Sequence, residues 1–219
     1  MKLSKQTLEI LKNFGSINQS ILFKSGQKQS TISSAKTTLA IAEFEESFPE
    51  SFAIYDLNQF IGIISLFNDP EIEIDGKYVS IKSEKQEVRY RTCEPTLVAS
   101  LSKEPTFPKV DISFEMSKEI LGKISNAISM LKSEHIAFEG NGSEIVVCTH
   151  SIDDSTSSVA SFTIGETTEI FTLIFKYDML KLMQGDYLIQ ISKQKLTKWI
   201  NKNNNVSYMI PASKNSTFE

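Results

Sequence analysis

The sequence feature that most constrains the fold is an order of local patterns that occurs twice. A segment with helical spacing of apolar residues begins after Ser4, and a second one begins after Ser117. Serine is a preferred N-cap residue, so both positions mark helix starts. Each helix is followed by two strand-like runs around a glycine and then by further β-rich runs. A strand then leads through Tyr-Asp, at 55–56 and 177–178, into a second short helix, and more strands follow. The repeated order predicts a duplicated α+β domain.

Turn residues and prolines divide the chain. An Asn-Gly pair at 141–142 and an Asp-Gly pair at 75–76 are strong hairpin signals and indicate antiparallel strands. Three prolines lie in the range 95–108, which is too apolar for a free linker and is typical of a docked connector. We therefore expect an N-terminal domain over 1–94, a connector over 95–108 and a C-terminal domain over 109–219.

The two long helices are expected to bury one face each. The first is predicted over 5–14 and to end at Gly15, because glycine is common just after the last helical residue. The apolar faces consist of Leu3, Thr7, Ile10, Leu11 and Phe14 in the first helix and of Leu121, Ile124, Ile128 and Leu131 in the second. The opposite faces are then free to meet solvent or a ligand.

The composition argues against several classes of protein. The chain has 219 residues and a formal net charge of −4, so any basic surface must be local. Its two cysteines have no C-x-x-C spacing, which argues against a disulfide framework or a thiolate zinc site and favours a reducing compartment. No apolar run approaches the ~20 residues of a membrane span, and the N-terminus lacks the apolar stretch of a signal peptide. We expect a cytoplasmic protein with no membrane partner.

Two groups of side chains are candidates for a metal-dependent site, although no common phosphate-binding, nucleophile or zinc-protease motif occurs. One is a loop cluster formed by Cys148, His150, Asp153 and Asp154. The other is an alternating strand edge formed by Asp69, Glu71 and Glu73. A strand that ends in a polar loop explains the first group, and a solvated strand face explains the second. We predict no catalytic residue, cofactor or metal, with a metal-dependent enzyme as an alternative.

Lysines on the polar faces of both long helices are the strongest binding signal. They are Lys5 and Lys12 in the first helix and Lys118, Lys123 and Lys132 in or at the end of the second. Such faces are usually only solvated, but these recur at corresponding places in an acidic chain. Arginine, the main reader of guanine edges, occurs only at Arg89 and Arg91, so the pattern predicts sequence-independent binding to phosphates. Because Glu9 interrupts the first stripe, we expect the stronger attraction at 117–132.

Two stretches of the sequence resemble the sliding clamps of T-even-type bacteriophages, which are DNA polymerase processivity factors. They are the start "MKLSK" with "ILKNFGSIN" at 10–18, and "AIYDLNQFIGIISLFND" at 53–69. The second is the more specific, because its neutral helix follows no general rule. The resemblance is close over 1–70, and in the second half mainly the order of elements persists.

The resemblance implies a DNA-clamp fold of two similar domains, each with two helices on one face of antiparallel β-sheet, assembled as a closed homotrimeric ring around duplex DNA. It also implies contacts with DNA polymerase, an ATP-using clamp-loader complex and RNA polymerase-associated late-transcription factors, in the cytoplasm of the infected bacterial host. A monomeric scaffold with no role on DNA is the remaining alternative.

Site residues follow from the resemblance combined with the pattern. The DNA-binding set is the five helix lysines together with Lys176 and Lys181. The neutral, channel-facing set is Asn58, Gly62, Ser65, Ser125 and Ser129. A pocket for the apolar tail of a partner protein is expected beside Leu97, Val98 and Leu101, with simple packing of these residues as the alternative.

Overall fold

The computed structural model describes residues 1–101, 103–151 and 157–219, and the chain divides into two compact units. Unit 1 comprises Met1–Glu104 with Asn204–Val206, and unit 2 comprises Pro105–Asn203 with Ser207–Glu219. The main boundary, between Glu104 and Pro105, falls inside the segment that the prolines mark as a connector. Asp153 and Asp154, two of the candidate metal ligands, lie outside the described residues.

Unit 1 contains two α-helices and seven strands within its described residues. They are α1 (Lys5–Ile17), β1 (Ile21–Phe23), β2 (Gly26–Ile32), β3 (Leu39–Phe48), β4 (Phe52–Ile54), α2 (Leu57–Ile64), β5 (Glu71–Ile74), β6 (Tyr78–Ser83) and β7 (Gln86–Arg91). A 3-10 turn, Pro95–Leu97, follows. Helix α1 packs against α2, β2 and β3, and a cluster of Phe23, Phe48 and Phe52 rings fills the core beside it.

Unit 2 contains one α-helix and nine strands within its described residues. They are β8 (Ile112–Met116), α3 (Lys118–Leu131), β9 (His135–Asn141), β10 (Glu144–His150), β11 (Ser161–Glu166), β12 (Ile170–Lys176), β13 (Tyr187–Ser192), β14 (Leu196–Asn201), β15 (Val206–Pro211) and β16 (Thr217–Phe218). Rings from both sheets meet in the core, where Phe138 of β9 lies edge-on to Trp199 of β14 with centroids 5.5 Å apart.

Strand pairing repeats between the units in chain order. After the long helix, the first strand pairs with the fourth (β1 with β4, β9 with β12) and the second with the third (β2 with β3, β10 with β11), all antiparallel. The last three form a meander, β5-β6-β7 in unit 1 and β13-β14-β15 in unit 2. Unit 2 adds β8 beside β13 and β16 beside β12. The predicted duplicated α+β domain is confirmed.

Both predicted helix starts are confirmed. The Ser4 hydroxyl accepts a hydrogen bond from the Thr7 amide at 3.1 Å, and the Ser117 hydroxyl accepts one from the Ile120 amide at 3.3 Å. Each bond satisfies one of the amides that a helix N-terminus leaves without a partner.

The predicted end of the first helix at Gly15 is wrong, because α1 continues to Ile17. Gly15 is buried inside the helix, and a Cβ atom there would lie 2.5 Å from Oδ1 of Asn58 in α2. The glycine therefore permits close approach of the two helices instead of ending the first one.

The predicted apolar face of α1 is buried at Thr7 and at the three large residues after it, whereas the face of α3 is shorter than predicted. Ile124 and Ile128 are buried, but Leu131 is 38% exposed. Lys132 follows as the C-cap in the left-handed conformation with φ of 53°, so α3 ends at Leu131.

The predicted second helix of unit 2 is also wrong. The segment that corresponds to α2 forms only a 3-10 turn, Tyr177–Met179. The Met183 carbonyl accepts a hydrogen bond from the Tyr187 hydroxyl at 2.5 Å, and the Met183 amide donates to the Tyr208 hydroxyl at 3.1 Å. These tertiary bonds use the backbone groups that a helix through Met183 would need, so they oppose the local helix propensity.

Candidate nucleic-acid interface

The N-terminus of α1 is fixed by a carboxylate from a neighbouring strand. Glu46 of β3 accepts hydrogen bonds from the Ser4 amide and, at 2.6 Å, from the Thr7 hydroxyl. The negative charge of the carboxylate also interacts favourably with the positive end of the helix dipole. Glu46 thus holds the helix on its sheet, with the lysine-bearing side turned to solvent.

Lys5 and Lys12 lie on that solvent-facing side of α1. Both side chains are exposed, and neither forms an ion pair with any residue that the structure describes. Glu9 lies between them in sequence and is exposed, yet it forms no ion pair with either. Two ammonium groups of α1 are therefore available to an external anion.

The N-terminus of α3 is closed in a similar way. Ser117 caps the helix, and the Asp186 carboxylate accepts a hydrogen bond from the Lys118 amide at 2.7 Å. The side chain of Lys118 remains exposed, as does that of Lys132 at the other end, and neither is in an ion pair within the described ranges. The helix therefore presents two available lysines.

Lys123 differs from its neighbours because it is already paired. Its Nζ lies 2.6 Å from Oε1 of Glu119, one helical turn earlier. The hydrogen bond and the positive charge of Lys123 lower the pKa of Glu119, so the carboxylate is ionised at neutral pH. The expectation of a stronger attraction at 117–132 took no account of this pairing, although its i, i+4 spacing is visible in the sequence.

The two remaining lysines of the expected set lie at the end of β12 and beyond it. Lys176 is exposed and forms an ion pair of 3.3 Å with Asp178. Lys181 is exposed in the segment after the 3-10 turn. Lys176 is the last residue of β12, in register with His135 of β9, whereas Lys181 lies on irregular backbone because the second helix is missing.

Most of the expected neutral positions meet solvent. Asn58, Gly62 and Ser65 are exposed along α2, and a Cβ added at Gly62 would meet no atom within 4 Å. Ser129 is exposed on α3, whereas Ser125 is half-buried and its hydroxyl lies 2.6 Å from that of Tyr177. Ser125 is thus engaged within unit 2.

Two of the three alternating carboxylates of the strand edge have lysine partners. Asp69 pairs with Lys2, and Glu73 pairs with Lys82 at 2.5 Å. No group of three or more His, Cys, Asp or Glu side chains suited to a metal ion occurs in the described part of the chain. Burial and the nearby Glu139 raise the pKa of the Cys148 thiol to about 12, so it stays protonated at neutral pH.

The three apolar connector residues lie in different surroundings. Leu97 is 62% exposed, Val98 is buried, and Leu101 lines a cavity of about 250 Å³ in unit 1. The walls of this cavity are Lys24, Ser25, Lys28, Ser30, Leu39, Ile41, Leu101 and Glu104. The connector is docked there, since Lys24 Nζ donates to the Leu101 carbonyl at 3.1 Å and Lys28 pairs with Glu104 at 2.5 Å.

Three features of the site were not foreseen. Glu46 and Asp186 each reach a helix terminus from a distant part of the sequence, so no local pattern indicates them. A cavity of about 300 Å³ lies beside α3, with Leu121, Leu180 and Trp199 among its walls. It opens where the expected second helix of unit 2 is absent.

A family model and two related proteins indicate the same family for this chain. A family model described as DNA polymerase processivity factor matches residues 2–102. The chain is 30% identical to the protein named sliding clamp of Enterobacteria phage T4 over 233 residues, with all of both chains covered. It is 28% identical to the sliding clamp of Vibrio phage KVP40 over 211 residues, covering 91% of this chain and 94% of the relative.

Solved structures with the same fold include two well-covered examples. A. fulgidus PCNA bound to the C-terminal region of FEN-1 has a TM-score of 0.67 and 15% identity, with 94% of each chain covered. The Helicobacter pylori beta clamp in complex with carprofen has a TM-score of 0.74 and 15% identity, covering 98% of this chain and 66% of that one. At these identities the similarity establishes the fold.

In the described ranges, no helix is both long and apolar enough to cross a membrane.

Proposed function

The chain belongs to the sliding-clamp family of DNA polymerase processivity factors, and on that premise we propose that it encircles duplex DNA and tethers the replicative DNA polymerase to it. A processivity factor is not an enzyme: it carries no reaction of its own. It keeps the polymerase on its template by holding on to the DNA.

One observation carries the proposal beyond family membership. The seven strands of unit 1 have counterparts in the same order in unit 2, and the corresponding long helix of each unit exposes lysines that have no ion partner in the described structure. Two such lysines on α1 and two on α3 supply attraction to phosphates that depends on salt and ignores base sequence. The neutral surface of α2 adds no charge that would stop movement along the duplex.

The assembly and the remaining partners belong to the same proposal. Three copies form a closed ring, an ATP-using clamp loader opens it, and RNA polymerase-associated late-transcription factors use the DNA-bound ring in the cytoplasm of the infected bacterium. Curated relatives from phages support this setting. Closure by identical copies would also remove exposed strand edges through pairing between neighbours.

We assign the polymerase tail to the cavity beside Leu101. Its floor is apolar at Leu39 and Ile41, and Lys24 and Lys28 stand at its sides. An apolar side chain can fill such a space, while an acidic group of the tail meets Lys24, whose ammonium has further donors besides the one that binds the Leu101 carbonyl. Leu97 and Val98 lie outside the walls of this cavity, so Leu101 is the connector residue assigned to it.

The test of encirclement is topological. The protein is loaded with its clamp loader onto nicked circular DNA, unbound protein is removed, and a restriction enzyme then linearises half of the sample. We expect protein to stay on the circles and to leave the linear molecules, because enclosure ends at a free DNA end. Equal retention on circular and linear DNA would contradict the proposal.

A second experiment tests the lysines. Lys5→Ala with Lys12→Ala, and Lys118→Ala with Lys132→Ala, should each reduce the slope of log K against log salt concentration by about 1.8, since each phosphate contact contributes about 0.9. The matched control is Lys77→Ala with Lys85→Ala, two exposed lysines at the turns of the β5-β6-β7 sheet. An unchanged slope in both helix variants would show that these lysines are only solvated and do not contact DNA phosphates.

A further inference from the structure

The lysines in and at the end of α3 differ in whether they form an ion pair. Lys123 is held by Glu119 at 2.6 Å, whereas Lys118 and Lys132 have no ionic partner among the described residues. Both members of the pair are more than half exposed, with side chains 56% and 75% accessible for Lys123 and Glu119. The pair therefore has little to do with the core of unit 2, and the lysine is within reach of an external anion.

We propose that Glu119 competes with DNA phosphate for Lys123 and so limits the attraction between α3 and the duplex. The inference rests on the proposed function, in which α3 faces DNA. An exposed pair at i, i+4 is weak, so phosphate can displace the carboxylate and the carboxylate can recapture the ammonium as the DNA moves on. Glu119 thereby converts a fixed phosphate contact into a transient one.

The surroundings of the pair add to this effect. Asp186 already accepts a hydrogen bond from the Lys118 amide, so two carboxylates lie at the first turn of α3. Free amides at a helix N-terminus attract phosphate, and occupied ones beside negative charge do not. The first turn of α3 is therefore unsuited to gripping the DNA backbone.

The first long helix offers a matched control. Glu9 lies between Lys5 and Lys12 on α1, but it forms no ion pair in the part of the chain that the structure describes. Glu9→Gln removes the same charge as Glu119→Gln without releasing a lysine. Any difference between the two variants then reports the pair and not the net charge.

The experiment is a double-mutant cycle of Glu119→Gln and Lys123→Ala. Binding of a fluorescent duplex of arbitrary sequence is followed by anisotropy between about 50 and 200 mM salt. We expect Glu119→Gln to steepen the slope of log K against log salt by about 0.9, which corresponds to about a threefold larger loss of affinity across that range. In the Lys123→Ala background the same substitution should leave the slope unchanged, and Glu9→Gln should leave it unchanged in both backgrounds.

The outcomes separate this inference from the proposed function. If the unaltered protein is retained on circular DNA but Glu119→Gln binds like the parent, or acts equally with and without Lys123, the inference is overturned and the clamp function stands. Failure of retention overturns the function, whereas the anisotropy cycle needs no loading and still gives its own answer. Circular dichroism of the variants checks that α3 remains folded.

Discussion

Removal of the two tyrosine hydroxyls that hold Met183 should destabilise unit 2 in a coupled, pH-dependent way. Tyr187 and Tyr208 are fully buried, and their hydroxyls bind the carbonyl and the amide of Met183 at 2.5 and 3.1 Å. This residue lies in the irregular segment that carries Lys181 and borders the cavity beside α3. The pair of hydrogen bonds therefore shapes part of the proposed DNA-binding surface.

The magnitude follows from what each substitution leaves behind. Tyr187→Phe leaves the Met183 carbonyl without its donor, and Tyr208→Phe leaves the Met183 amide without its acceptor, so each should cost about 1–3 kcal/mol of unfolding free energy. Because both bonds hold one residue, loss of the first loosens the segment and makes the second worth less. The double variant should thus lose less than the sum of the single ones.

The pH dependence has a definite sign. Burial raises the pKa of Tyr187 to about 12 and also raises the pKa of Tyr208, whereas an unfolded tyrosine titrates near 10. Above pH 10 the unfolded chain therefore releases protons that the folded one retains. The stabilisation is complete below about pH 10 and is lost as pH rises toward 12, by roughly 1 kcal/mol per pH unit for each tyrosine.

Urea denaturation of the parent, both single variants and the double variant, at pH 7 and at steps up to pH 11, measures all three effects. Tyr55→Phe is the control, since Tyr55 is 60% exposed. The reasoning is refuted if Tyr187→Phe matches the parent within 0.5 kcal/mol at pH 7, which is the scatter of surface substitutions. It is also refuted if that variant keeps the full alkaline slope.

Further predictions concern packing, capping and the partner cavity. Gly140→Ala should lower the unfolding free energy by about 1–3 kcal/mol in urea titrations, because its Cβ would lie 2.3 Å from the ring of Phe171; an unchanged midpoint would contradict this. Gly122→Ala, whose Cβ meets no atom within 4 Å in exposed helix, should instead stabilise by up to about 1 kcal/mol. Glu46→Ala should cost about 0.5–2 kcal/mol, as other lost helix caps do, and a melting temperature equal to the parent's would argue against its role. Leu101→Asp should weaken binding of a polymerase tail peptide at least tenfold in calorimetry without lowering stability, since it places a carboxylate in the apolar part of the cavity; parent-like affinity would move the site elsewhere.

Much of this fold was predictable from local patterns, because helix starts and turns are determined by residues close together in sequence. The serine caps at Ser4 and Ser117 involve partners three residues away, and the hairpin turn at Gly142 depends on its own φ of 85°. Helix starts and turns of this kind are specified within the segment itself. Their order along the chain was enough to reveal the duplication, whereas the pairing of the first strand with the fourth in each unit became visible only in the structure.

The failures share a different cause, which is contact with side chains that the helical spacing of apolar residues does not reveal. Met183 resists a helix because Tyr187 and Tyr208 bind its backbone, and Gly15 lies within a helix because Asn58 packs against it. Neither partner can be identified from spacing. The lysine positions, by contrast, were predictable as exposed residues, while their pairing state needed the side-chain geometry.

Pairing state matters because a sliding tether must attract DNA without holding one register. An exposed lysine makes a phosphate contact that is easily broken, and adjacent phosphates are equivalent partners, so contacts from a few lysines leave the energy nearly level along the duplex. Arginine forms firmer, forked phosphate contacts, but Arg89 lies on β7, where it meets Asp75 at 3.4 Å and the ring of Tyr78. The helices are thus left with the weaker kind of cation, and with Glu119 restraining one of those. Contacts this weak cannot retain a protein on DNA through a replication cycle, so retention must come from enclosure. Salt should therefore only weaken the contacts, whereas a free DNA end should release the protein.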